Sequence, residues 1–161
     1  MEITVIGDFG IVGWVAGATR TGEIYVVNTK DMVTKVLNAV GTGKISRLNI
    51  LDHNAKTRTK LDTGTVKALG IEIGKDIINQ YNVKNFKSLL LLKGRFTESG
   101  FVHLQHCNVG KNQELMKNLA AHLAVPVYAG TGAHNSLLRV NYGKYVRCDP
   151  SGVCQTDVSR P

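Results

Sequence analysis

Short runs rich in Val and Ile recur along this chain, and stretches with helical spacing of apolar residues stand between them. That alternation limits the fold more than any other feature, because strand and helix in turn build a parallel sheet with helices packed on it. Residues 3–6 and 11–16 are apolar runs set among Gly7, Gly10 and Gly13, and residues 23–27 read as a strand. Asn28 or Thr29 can cap a helix whose Met32, Val33, Val36, Leu37 and Val40 form one stripe, with Gly41 and Gly43 to stop it. Ile45, Leu48, Ile50 and Leu51 make a buried strand that runs directly into Asp52-His53-Asn54. The polar residues 55–70 read as irregular, and residues 71–81 and 85–92 as helical. Phe101, Val102 and Leu104 form a second core strand, ending in His106-Cys107-Asn108. A helix beginning near Gly110 then carries Leu115, Met116, Leu119, Ala120 and Leu123, and residues 125–129 give another strand before Gly130-Thr131-Gly132.

In parallel sheets, reactive groups gather at the carboxyl ends of the strands. His53 and Cys107 both stand at such ends. A thiol attacks only as thiolate, so it needs a base or a positive field. His53 can supply the base, and the start of the following helix the field. The His lies 54 residues before the Cys, which is the order and approximate spacing of caspase-type sites and the reverse of papain-like ones.

The segment from Leu48 to His53, followed by Phe101 to Gly110, resembles the caspase-like cysteine peptidases of bacteria. It is most like a domain of large bacterial surface proteins and polymorphic toxins, in which one strand ends in Ser-His-Gly and the next in Gly-Cys-Asn-Val. The helix through Leu115–Leu123 and the strand at 125–129 follow in the same order, so the resemblance spans roughly residues 44–150. It implies a caspase-like α/β fold over a single domain, 1–161, and a peptidase with His53 and Cys107 as its dyad. The amides of Asn54 and Cys107 would hold the oxyanion, with His106 and Asn108 beside the cleft. Neither metal nor organic cofactor would be required. The substrate would be a protein or peptide, and a toxin setting would bring an immunity or activating protein as partner. Two positions depart from the pattern. Asn54 replaces the Gly after the His, keeping an N–H and tolerating left-handed angles. His106 replaces the Gly before the Cys, where its ring would narrow the cleft or offer a second imidazole.

Other chemistries fit less well. His103, His106 and Cys107 could be read as metal ligands, but a second close pair is missing from the sequence. No G-x-G-x-x-G occurs, and Gly41-Thr42-Gly43-Lys44 lacks the P-loop spacing. The net charge of +8 favours an anionic partner. Scattered basic residues and 6% aromatics offer no base-stacking platform, so nucleic acid is not the expected one. No run is long enough to span a membrane and no signal peptide is evident, so a cytoplasmic protein, or one exported without such a signal, is expected. A non-catalytic binding module with a degenerate site and an amidase of cell-wall peptide are the alternatives.

At the C-terminus, Asp149, Pro150, Ser151 and Gly152 suit a hairpin turn. A three-residue loop sets Cys148 opposite Cys154, where a disulfide can form, whereas a four-residue loop sets Cys148 against Val153. The bridge would suit an oxidising compartment and leave Cys107 as the free thiol.

Overall fold

The computed structural model describes residues 1–7, 22–61 and 63–161. The apolar run at 11–16 lies outside the described residues. The fold is α/β, built on a seven-stranded mixed sheet. In chain order its strands are β1 (Glu2–Gly7), β2 (Ile24–Val26), β3 (Ile45–Leu51), β7 (Phe96–Gln105), β8 (Val127–Gly130), β11 (Tyr145–Cys148) and β12 (Cys154–Val158). They lie in the order β12-β11-β8-β7-β3-β1-β2. The five strands from β8 to β2 run parallel, and β11 and β12 add antiparallel at one side.

Register explains the layering. Ile3 lies opposite Leu48, Leu48 opposite Val102, and Val102 opposite Val127. Two places on, Val5, Ile50, Leu104 and Ala129 repeat the row. Side chains alternate faces along a strand, so both rows share one face. They belong to one buried cluster with α1 (Thr29–Val40) and α2 (Gln113–Leu123). The opposite face carries a polar row through Thr4, Asn49 and His103. There the Asn49 amide donates to Glu2 and Thr4, and Arg47 Nη2 stands 3.1 Å from His103 Nδ1.

The helix ends follow the sequence closely. Asn28, rather than Thr29, caps α1 by accepting the Asp31 N–H at 2.8 Å, and the Gly41 N–H closes the other end on the Leu37 carbonyl. α2 starts later than its glycine suggests. Residues Val109–Lys111 form a 3-10 turn, and Asn112 caps the helix by accepting the Leu115 N–H. Gly110 presses on the backbone of Ala129 and Gly130, which leaves no room for a Cβ. It is a packing glycine, and the helix N-terminus stands further from Cys107 than expected.

Three segments correct the sequence reading. Residues 55–70 are not irregular: β4 (Asn54–Leu61) and β5 (Gly64–Ile73) form a long antiparallel hairpin. Thr57, Thr65 and Val66 are β-branched and favour strand, but the pattern is polar on both faces and hides the period. Residues 71–81 are not a helix. Ile71 and Ile73 complete β5, Gly74 turns at φ 59°, and β6 (Asp76–Ile78) returns alongside. Residues 85–92 fold as 3-10 turns, Val83–Asn85 and Lys87–Leu92. Leu89 and Leu92 are buried while Leu90 and Leu91 are exposed, the period of three that a 3-10 turn imposes. A further short pair, β9 (His134–Asn135) and β10 (Val140–Asn141), precedes β11.

The C-terminal hairpin adopts the three-residue loop. The Asp149 N–H donates to Val153 O and the Gly152 N–H to Asp149 O, so Cys148 faces Cys154 and the two are bonded. The bridge closes a small ring, so its chain-entropy contribution is about 2 kcal/mol. Reducing it in a Cys107→Ser background should lower the urea midpoint by that equivalent. An unchanged midpoint would show that hairpin pairing alone holds β12.

Among the described residues no helix is long and apolar enough to cross a membrane.

Candidate functional site

β3 and β7 are parallel neighbours, with Leu51 opposite Gln105 at their carboxyl ends. His53 and Cys107 each follow by two residues, so both leave the sheet in step at the same edge. β8 ends at that edge as well, with Ala129 opposite Leu104. The chain beyond it brings His134 to Cys107: the His134 N–H donates to Cys107 Sγ at 3.2 Å. Three neighbouring strand ends therefore contribute His53, Cys107 and the His134 backbone.

Asp52 anchors the first of these ends. Its carboxylate accepts the His53 N–H at 2.8 Å and the Gly74 N–H at 2.7 Å. It is buried, and it occupies the space where Gly7 has no side chain; a Cβ there would come within 1.5 Å of Asp52 Oδ2. Burial pushes the Asp52 carboxyl above its ordinary range, against the pull of those two N–H groups. The side chain of His53 is exposed, while its carbonyl accepts the Glu72 N–H at 2.9 Å.

That last bond sets the direction of the next amide. Asn54 faces Ile71 across the hairpin, and the Glu72-to-His53 bond makes theirs a non-hydrogen-bonded pair. The Asn54 N–H consequently points away from β5, toward the outer edge of β4. Asn108 takes the left-handed conformation, φ 61°, gives its N–H to Gly132 O at 2.8 Å, and accepts Lys111 Nζ at its side-chain oxygen. Cys107 is half-buried.

His106 is fully buried with Nε2 3.0 Å from Glu72 O. A carbonyl only accepts, so Nε2 carries the proton. The ring thus lies beneath the hairpin and ties β7 to β5. Burial lowers its pKa to about 4, the bond to Glu72 opposes this, and the charges of His134 and His53 add to the lowering. His103 turns to the opposite face, toward Arg47, and burial, then Arg47, take it to about 3. Of the sequence's metal reading, His103, His106 and Cys107 are thus engaged by three different partners. Among the described residues no group of three or more His, Cys, Asp or Glu is placed to hold a metal ion.

His134 is the residue that reading the sequence missed. Its ring is largely buried and held near pKa 4 by burial, then by Arg139 and Arg160. The available signal was Gly130-Thr131-Gly132: a third strand ending in small residues, two places before a His. Next to His53 and Cys107, a groove of about 650 Å³ opens between the hairpin and the Asn108–Lys111 turn, and Asn54 and Asn108 both line it.

No protein-family model matches the chain, and no curated protein matches it in sequence.

Proposed function

We propose that this protein is a caspase-like cysteine peptidase, or a near relative cutting an amide bond, with Cys107 as nucleophile and His53 as acid and base. The observation that carries this reading is the in-step departure of His53 and Cys107 from adjacent parallel strands. Two further arrangements support it. The His134 N–H at Cys107 Sγ favours a sulfur anion, and the outward Asn54 N–H is free of the β4–β5 ladder, as an oxyanion donor must be.

In the proposed reaction Cys107 passes its proton to His53 and its sulfur bonds to the carbonyl carbon. The amides of Asn54 and Cys107 carry the oxyanion. As the C–N bond breaks, His53 gives the proton to the departing amine. Water then attacks the thioester, losing a proton to His53, and the acid product leaves as the proton returns to sulfur. By its resemblance alone, the setting is a bacterial effector or toxin, with an immunity or activating protein as partner.

Alkylation tests the dyad without a known substrate. At neutral pH, iodoacetamide should modify Cys107 about tenfold faster than a free thiol, and His53→Ala should remove the excess. Equal rates in both proteins would overturn the dyad. If the dyad is active, cleavage of casein versus purified cell-wall peptide separates a peptidase from an amidase.

A further inference from the structure

The groove beside the dyad has a one-sided charge. Lys56, Arg58, Lys67 and Lys111 line it, together with Asn54 and Asn108, and among the described residues no carboxylate or aromatic side chain does. All four cations are exposed. They come from two elements, the β4–β5 hairpin and the turn after Asn108, so the charge belongs to the groove rather than to one stretch of sequence.

β4 adds a second, independent feature. It is an outer strand of its three-stranded sheet, which runs β4-β5-β6. Asn54, Lys56 and Arg58 face Ile71, Leu69 and Lys67. The Glu72-to-His53 bond makes the first of these a non-hydrogen-bonded pair, and pairs alternate along the ladder, so all three are of that kind. The N–H and C=O groups of Asn54, Lys56 and Arg58 therefore point outward from an edge to which, among the described residues, no strand is paired. Such an edge accepts an added strand. Lys56 and Arg58 also share one face, about 7 Å apart along the strand, which is the spacing of alternate side chains in an extended peptide.

We propose that an acidic polypeptide segment binds here as an added strand on β4. Its backbone pairs with Lys56 and Arg58, leaving the Asn54 N–H for the oxyanion, and carboxylates at every second position meet Lys56, Arg58, Lys67 and Lys111. The strand starts at Asn54, next to His53, so the bound segment leads into the dyad and is the substrate stretch flanking the cut bond. That last role rests on the peptidase reading; the binding itself does not. A peptide is favoured over nucleic acid because the groove offers outward backbone groups and, among the described residues, no ring for a base to stack on.

The test uses the full chain as Cys107→Ser, so that nothing is turned over, and a fluorescein-labelled peptide alternating Glu and Thr, read by polarisation. It should bind at least about tenfold more tightly than the Gln–Thr analogue. The double variant Lys56→Glu/Arg58→Glu should abolish this difference while its thermal transition stays in place, because both side chains are exposed. N-methylation of every second peptide amide, on the edge that would pair, should weaken binding by a similar factor. Equal binding of the Gln–Thr peptide, full binding of the methylated one, or tighter binding of a single-stranded oligonucleotide of equal charge would each overturn the proposal. Binding as described, with no cleavage of the same peptide by the unmutated chain, would instead count against the peptidase reading and leave the groove assignment standing.

Discussion

Acidification from pH 6 to pH 4.5 should remove about 4 kcal/mol of this fold's stability. His103, His106 and His134 are held neutral, with pKa values of about 3, 4 and 4, chiefly because burial disfavours their charged forms. In the unfolded chain each returns to an ordinary value near 6.5. Between about pH 6.5 and 4 the unfolded state therefore binds protons that the folded state refuses. Stability is complete above that window and is lost as pH falls through it. His103 and His106 are wholly buried, and each adds up to about 1.4 kcal/mol per pH unit to the slope. Asp52 works in the opposite sense. Its carboxyl is raised above 3.8, so its contribution is full at low pH and falls as pH rises through that shifted value. It offsets at most one proton of the three. The urea midpoint should thus fall steeply below pH 6, with about two net protons taken up on unfolding, and His106→Gln should remove close to one of them. A midpoint flat from pH 7 to 4.5 would mean that these rings are charged in the folded protein. Two net protons over this interval amount to about 4 kcal/mol, a large share of the roughly 5–15 kcal/mol that a small domain has in hand.

The second large effect should come from a single methyl group. In Gly7→Ala the new Cβ would come within 1.5 Å of Asp52 Oδ2, so the carboxylate must leave its place. That strands the His53 and Gly74 N–H groups, both of which it accepts at under 3 Å. Losing two charge-assisted bonds in a buried site costs about 3 kcal/mol or more. The pair should also be strongly non-additive. In an Asp52→Ala background the collision is gone, and Gly7→Ala should then cost about 1 kcal/mol or less. Equal costs in both backgrounds would show that Gly7 matters for its own backbone and not for Asp52. The same cycle bears on the proposed dyad, because Asp52 fixes the backbone of His53: the alkylation excess expected of that dyad should shrink in both single variants.

These effects show how the site is assembled. β1 supplies the glycine notch, β3 the carboxylate and His53, and the hairpin the bonds that hold them: Glu72 takes both the His53 carbonyl and the His106 ring. The buried ring of His106 is a strut between β7 and β5.

Much of this was legible in the residues themselves. The strand at Ile45–Leu51, the part of β7 from Phe101, the stripes of α1 and α2, a side-chain cap at Asn28 or Thr29 and a turn able to set Cys148 against Cys154 each express a local rule. Apolar alternation, a side-chain oxygen before a helix, or a left-handed glycine in a three-residue turn acts within a few neighbours, so it is written in the order of the chain. The departure of His53 and Cys107 from a common sheet edge was also within reach, because parallel strands must end at a common edge. What only the tertiary structure decided are the features made by distant segments. The polar hairpin of β4 and β5 has no strong period of its own and is held by ties such as the bond from Asn112 to Leu69 O. His134 reaches Cys107 only because β8 lies beside β7, and Gly7 matters only because Asp52 needs its space. The basic groove joins Lys56, Arg58 and Lys67 to Lys111 across more than forty intervening residues. Charge is read from composition, but a groove exists only when separate segments are brought together.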